Sequence, residues 1–124
     1  MKLKDITTTI DAIMADNKKA RNENNYIKLI ENGFACLEYI NKIINISIDA
    51  EREYRKYEAT LLMELKEQGN KGKNGEAETR AKATEYYIEY RHCEQLLNLC
   101  YEMVNVAKKL ADSLNDELRA MKRN

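Results

Sequence analysis

The chain has 124 residues, of which 44% are hydrophobic and 34% charged, with no proline, no tryptophan and four glycines. This composition favours long helices over a sheet or a loop-rich fold, and the length allows one domain with a modest core. The 21 basic residues are balanced by 21 acidic ones. The resulting net charge of zero argues against a generic nucleic-acid binder, which needs a positive excess to neutralise phosphates.

The N-terminal segment over 1–16 is predicted to be a short amphipathic helix. Its apolar residues recur at helical spacing: Leu3, Ile6, Ile10, Ile13 and Met14. Three consecutive threonines lower its intrinsic helix propensity, so this helix needs tertiary support. The polar stretch over 17–25 has one alanine as its only apolar residue and is interpreted as a connector, partly helical.

A long helix is predicted over 26–68. Its first half is apolar over a broad face and its second half over a narrow one, because one of its two apolar lines ends midway. Gly33 inside this helix costs about 1 kcal/mol relative to alanine. We expect another helix to approach closely at this glycine.

The stretch over 69–75 reads GNKGKNG and is the strongest helix-breaking cluster of the chain. It lacks the GxxxxGK[ST] spacing of a phosphate-binding loop and does not follow a predicted strand, so it is interpreted as a turn. Glu76 and Glu78 then suit the first turn of a second long helix, where the helix dipole favours acids.

The second long helix is predicted over 76–122, within the last segment 76–124. Its apolar residues alternate at spacings of four and three through five heptads, which is the a/d pattern of a coiled coil. We call this line the heptad seam; it comprises Tyr86, Tyr90, Cys93, Leu97, Cys100, Val104, Ala107, Ala111, Leu114, Leu118 and Met121.

The predicted fold is therefore all-α. The short link makes the two long helices antiparallel, giving a long helical hairpin within a single domain over 1–124, with the short N-terminal helix beside it. This pairing places Tyr57 near Tyr87, Ile48 near Leu96 and Ile30 near Leu114. Because both helices carry more apolar surface than one seam covers, we expect a homodimer or higher oligomer, most simply a four-helix bundle; a heterologous partner would cover the same surface.

The cysteines Cys36, Cys93 and Cys100 each lie within an apolar helical pattern, and their odd number argues against a disulfide framework. We expect three buried thiols. No apolar run approaches 18 residues, and the N-terminus lacks the apolar core of a signal peptide. These features predict a soluble cytoplasmic protein without a membrane partner.

No pattern in the sequence predicts catalysis, a cofactor or a metal. The serines have no histidine at helical spacing, and His92, the only histidine, points away from its neighbour Cys93 on a helix. No CxxC or HxxxH pair is present, and Glu89 and His92 form one ExxH pair where a di-iron site needs two, so no residue is assigned as a metal ligand. The sequence favours a protein that is not an enzyme.

One candidate interaction site lies near the glycine-rich turn, where tyrosines and arginines concentrate. These residue types dominate protein interfaces and also stack on nucleobases. In the alternative interpretation the rings fill a narrow seam while the arginines pair with Glu51, Glu53 and Glu89. The candidate residues are Arg52, Tyr54, Arg55, Tyr57, Tyr86, Tyr87, Tyr90 and Arg91.

The layout resembles the small helical-hairpin proteins encoded in the early and recombination regions of tailed bacteriophages. The resemblance is carried by the stretch over 61–75, with its LMELKEQG segment and Gly/Lys-rich turn, and by the Tyr/Leu-rich stretch over 86–118. It implies either a recombination or replication accessory protein, or an inhibitor of a host defence complex such as a CRISPR effector, acting in the host cytoplasm.

Three functions follow as expectations. The first is a protein-binding module that occupies a surface on a host or phage protein. The second is a nucleotide-ligand or nucleic-acid binder that uses tyrosine and arginine from two subunits. The third is a purely structural oligomer.

Overall fold

A computed structural model of the protein describes residues 2–67 and 75–123, and its regular structure there is helical throughout, without a strand. The prediction of an all-α fold is confirmed. The five helices of the described ranges are α1 (Leu3–Asn22), α2 (Tyr26–Ala35), α3 (Leu37–Glu67), α4 (Glu76–Ala81) and α5 (Glu85–Arg123). The predicted turn over 69–75 lies outside the described residues except for Gly75, whose φ of 89° directly precedes α4.

The described chain divides into two compact units. The first comprises Met1–Ile43 and Leu96–Asn124, and the second comprises Ile44–Gln95. Helices α3 and α5 contribute residues to both. The prediction of a single domain over 1–124 stays a prediction.

Helix α1 is longer than the sequence predicts. The segment over 17–25 was expected to be a connector, but the helix continues to Asn22 because Asn17 and Ala20 extend the buried face of Ile6 and Ile10 at helical spacing. The helix ends where Asn24 adopts a left-handed φ of 54°. The Asn25 N–H then donates to the Ala20 carbonyl at 2.8 Å, which is the hydrogen bond of a Schellman cap.

Helix α2 begins at Tyr26, as predicted, because Asn25 caps it. The Asn25 side-chain oxygen accepts a hydrogen bond from the Lys28 N–H at 3.1 Å, which satisfies one of the free donors of the first turn. The same residue therefore ends α1 through its backbone and starts α2 through its side chain.

The predicted continuous helix over 26–68 is interrupted at Cys36. The Cys36 N–H donates to the Gly33 carbonyl and the Tyr39 N–H donates to the Cys36 carbonyl, so hydrogen bonds over three residues replace those over four. Gly33 lies against α5 of the same unit: a Cβ added there would be 2.3 Å from the Ala107 Cβ. The expected close approach at Gly33 is confirmed.

The second predicted long helix is also interrupted, at residues 82–84. The Thr84 hydroxyl donates to the Ala81 carbonyl at 2.7 Å and accepts from the Tyr87 N–H at 3.5 Å. Thr84 therefore ends α4 and caps the start of α5, where Glu85 lies in the first turn. The prediction of one unbroken helix from Glu76 is therefore wrong at this point.

Each unit has its own core. The core of the first unit is built from α1, α2 and the middle of α5, together with Cys36 and the start of α3; its most enclosed side chains are Ile6, Ile10, Cys36, Ile43, Cys100 and Ala107. In the second unit, Leu61 and Leu65 of α3 cluster with Ala77 of α4. Tyr54, Ala81 and Cys93 are buried in the same unit.

Candidate interaction surface

Three of the candidate tyrosines pack against one another inside the second unit. The Tyr54 ring lies 5.1 Å from the Tyr87 ring and 6.3 Å from the Tyr90 ring, measured between centroids, and Tyr87 and Tyr90 are 6.4 Å apart. Tyr54 is buried, while Tyr87 and Tyr90 are partly exposed. For Tyr54 the arrangement agrees with the interpretation that the rings fill a seam. The predicted pairing places Tyr87 near Tyr57. In the structure Tyr87 packs on Tyr54, which lies about one turn earlier on α3.

The tyrosine cluster has a polar edge. A hydrogen bond with the Glu94 carboxylate, together with burial, raises the pKa of the Tyr90 hydroxyl. The Arg55 guanidinium lies 4.8 Å from the centre of the Tyr54 ring, a distance typical of a cation–π contact. The negative charges of the Tyr54 phenolate, which forms only at alkaline pH, and of Glu58 raise the pKa of Arg55.

The candidate arginines all have a carboxylate partner on their own helix. Arg52 pairs with Asp49 at 3.6 Å, Arg55 with Glu51 and Glu58 at 3.9 and 3.3 Å, and Arg91 with Glu94. Of the predicted arginine–glutamate pairs the structure contains Arg55–Glu51, whereas Glu53 pairs with Lys56. These exposed pairs contribute little to stability, so the arginine side chains exchange partners at low cost.

Beside the tyrosine cluster, the first turns of α5 line a shallow groove of about 440 Å³. Ile88 lies in it and is 62% exposed, and it is flanked by cationic and polar groups. Lys82 Nζ is 5.9 Å from the centre of the Tyr87 ring and 2.9 Å from the Glu78 carboxylate. The groove is lined by Lys82, Tyr87, Ile88, Arg91, His92 and Gln95.

Glu78 and Lys82 are four residues apart and form an ion pair, which stabilises the charge of both partners. The hydrogen bond between them lowers the pKa of Glu78 and raises the pKa of Lys82. Lys82 therefore carries its charge at the groove throughout the neutral range.

Only part of the candidate set lies together. The structure brings together Tyr54, Arg55, Tyr87 and Tyr90, and Arg91 lines the groove beside Tyr87. Arg52, Tyr57 and Tyr86 are exposed on the same unit.

Besides Lys82, which precedes α5, the candidate set omits three lining residues of the groove, Ile88, His92 and Gln95. Their signal is the helical spacing of Tyr87, Arg91 and Gln95 with Ile88 and His92, which places all five on one side of α5. The candidate set was chosen for its tyrosines and arginines and did not use this helical spacing.

The three cysteines are free and fully buried, as predicted. In the first unit the Cys36 thiol donates to the Met103 sulfur at 3.7 Å, and a hydrogen bond with Cys100 lowers the pKa of Cys36. That hydrogen bond and burial raise the pKa of Cys100. In the second unit burial, with the charge of Glu89, raises the pKa of Cys93 to about 11. The raised pKa values keep Cys93 and Cys100 protonated, and buried protonated thiols are inert as nucleophiles.

Within residues 2–67 and 75–123, no group of three or more His, Cys, Asp or Glu side chains is placed to hold a metal ion. In the same ranges, every buried side-chain nitrogen and oxygen has a hydrogen-bond partner. None of the helices described here has the length and apolar character needed to cross a bilayer.

Comparison of the chain with family models, with curated proteins and with solved structures gives no match.

Proposed function

We propose that the protein is a non-enzymatic protein-binding module whose partner docks on the groove at the start of α5. The observation that carries the proposal is Ile88, a large aliphatic side chain that is 62% exposed and lines the groove together with Tyr87 and Arg91. An apolar side chain rimmed by polar ones is typical of an interaction site. Tyr and Arg are the residues that most often contribute the binding free energy at protein interfaces.

The surroundings of the groove suit this role. Packing of Tyr87 on Tyr54 and Tyr90 fixes one wall before a partner arrives, so that little side-chain entropy is lost on docking. The partner chemistry that fits is an apolar anchor beside acidic groups, because the cations of Lys82 and Arg91 line the same groove as Ile88.

We place this module in a phage that infects a bacterial host, where it inhibits or modulates a host protein complex of the CRISPR or another defence type. The support for this setting is the resemblance of the layout to phage helical-hairpin proteins. The same proposal includes action in the host cytoplasm.

We also propose that α3 and α5 form an antiparallel hairpin and that the protein self-associates. The order of contacts within the units supports the hairpin: α3 contacts α5 at Tyr54, and its later residues Leu61 and Leu65 cluster with Ala77, which precedes α5. Exposed apolar side chains on the first unit, among them Leu118 and Met121, support self-association.

The docking proposal is tested with two matched substitutions on the second unit. Ile88→Glu places a charge in the groove, whereas Met63→Glu places one on α3 at a side chain that is 64% exposed and outside the groove. Tagged protein captures its partner from a bacterial lysate, and the purified pair is then titrated by calorimetry. We expect Ile88→Glu to weaken binding by about 10- to 100-fold and Met63→Glu to leave it unchanged.

Equal affinity for the Ile88→Glu variant and the parent would contradict the groove as the docking site.

A second function, binding of a small anionic ligand, is favoured by the two cations of the groove. Native mass spectrometry of gently purified protein separates the two, because a retained ligand adds a few hundred daltons per chain. Lys82→Ala and Arg91→Ala would abolish binding of such a ligand but only weaken an apolar protein contact.

A further inference from the structure

The heptad seam on α5 changes from buried to exposed within the first unit. Cys100, Val104 and Ala107 are buried, whereas Leu118 is 56% exposed and Met121 is 73% exposed. Ala111 and Leu114 between them are partly exposed. The a/d spacing thus continues for two heptads past the residues that the helices of the unit enclose.

The heptad positions show which residues form the exposed part of the seam and which residues flank it. Leu114 and Met121 occupy d positions, and Ala111 and Leu118 occupy a positions. Glu117 then occupies a g position and Lys122 the e position of the next heptad, both flanking the seam. A seam with a period of 3.5 residues is covered best by another seam of the same period.

Charge then selects the partner and its orientation. In a parallel pair of identical helices, Glu117 of one copy faces Lys122 of the other, and two-fold symmetry makes this attraction occur twice. In an antiparallel pair over the same residues, Glu117 faces Glu117 and Lys108 faces Lys122, so both flanks repel. The same sequence is therefore complementary to itself in one orientation only.

We infer that a second copy of the chain covers this surface, and that residues 111–122 of two copies form a short parallel coiled coil. The inference deepens the proposed self-association and is independent of the groove at Ile88. Two heptads are too short to fold as an isolated coiled coil. Here, however, the segment continues a helix whose earlier part is already held in the first unit, so the helix does not have to form on association. Because the seam is short, we expect the association to be weak and concentration-dependent.

The first test is a charge exchange measured by sedimentation equilibrium. Glu117→Lys places lysine opposite lysine twice, and we expect it to raise the dimer dissociation constant about tenfold. Lys122→Glu acts equally, and the double variant Glu117→Lys/Lys122→Glu restores the parent value. Asp116→Lys is the matched control, because it makes the same charge change at an f position on the outer side of the helix.

The second test determines orientation by thiol cross-linking with a short bismaleimide, since the three native cysteines are fully buried. In a parallel pair, Met121→Cys protein cross-links to itself while Asp116→Cys protein does not. Cross-linking only in a mixture of Ala111→Cys and Met121→Cys proteins would show an antiparallel pair and overturn the inference.

A protein that stays monomeric at all concentrations, or a Glu117→Lys variant that dimerises like the parent, would also overturn it. The dimer variants keep Ile88 and its groove intact. Partner capture by them therefore reports on the docking proposal alone, so that failure of either proposal is visible separately.

Discussion

Gly33 is the residue where two helices of the first unit come closest. A Cβ at this position would lie 2.3 Å from the Ala107 Cβ and 2.6 Å from the Met103 carbonyl oxygen. Neither atom moves without moving the α5 backbone, so a glycine is required here by contact with a neighbouring helix. The helix-propensity cost of glycine is offset by this close packing.

Gly33→Ala is expected to destabilise the protein by about 2 kcal/mol, even though alanine is the better helix former, because overpacking against backbone is not relieved by a rotamer change. Urea unfolding measures the effect. Adding Ala107→Gly removes one of the two contacts, so the double variant should be more stable than the sum of the two single changes allows. Strict additivity would contradict the packing argument.

Cys93 makes the stability of the second unit depend on pH in the alkaline range. Its pKa is about 11 in the folded protein, above the ordinary thiol value of 9.0, because burial disfavours the thiolate. Between these two values the unfolded chain has lost the proton and the folded chain has kept it. The contribution is therefore fully present below pH 9 and is lost as the pH rises toward 11.

Between pH 8.5 and 10.5 we expect the parent to lose more free energy of unfolding than Cys93→Ala, by about 1–2 kcal/mol. The measurement is denaturant unfolding of both proteins across this range. Other alkaline titrations, including that of Cys100, are common to both proteins and cancel in the difference. A difference that stays constant with pH would mean that burial of Cys93 does not disfavour its thiolate.

At the scale of elements, short polar residues decide where the helices begin and end. Asn24 ends α1 with its left-handed backbone, and the Asn25 side chain caps the start of α2. Thr84 does the same between α4 and α5, where its hydroxyl bonds to the Ala81 carbonyl and to the Tyr87 N–H. This cap sets the start of the helix that carries the groove.

Thr84→Ala is expected to cost about 1 kcal/mol, the usual effect of losing a helix N-cap. Thr60→Ala is the control, because the Thr60 hydroxyl only donates back to the Lys56 carbonyl within α3 and its loss is neutral or slightly stabilising. Thermal unfolding followed by circular dichroism compares the two. Equal melting temperatures for both variants would show that the cap does not define α5.

At the scale of the whole molecule, the two units have separate cores, with Ile6 and Ile10 in one and Tyr54 in the other. Tyr54→Ala should therefore cost about 3 kcal/mol and accelerate amide hydrogen exchange in α4 and the start of α5 more than in α1. Tyr57→Ala, which truncates an exposed ring of the same helix, should change neither by much. Uniform acceleration along the chain after Tyr54→Ala would contradict this division.

The tyrosine and arginine pattern identified the unit that carries the candidate site but not the side chains that form its surface. Tyr54 and Tyr57 both belong to the candidate set near the glycine-rich turn, yet Tyr54 is buried and Tyr57 is exposed. Which of the two rings is buried depends on which turn of α3 contacts α5. The helical spacing of the sequence does not determine this contact to within one turn. Ile88 lies outside the heptad seam, and only its helical spacing with Tyr87, Arg91 and His92, which the tyrosine and arginine pattern leaves out, points to it.

The helical class and the amphipathic faces followed from the sequence alone, because composition and a period of 3.6 residues act locally along the chain. The buried thiols and the close approach at Gly33 followed from the same patterns. The breaks at Cys36 and at 82–84, and the continuation of α1 to Asn22, were decided only in the tertiary structure. Caps and side-chain packing contribute free energies of about 1 kcal/mol, comparable to the propensity differences that would keep a helix continuous, so neighbouring helices determine the outcome.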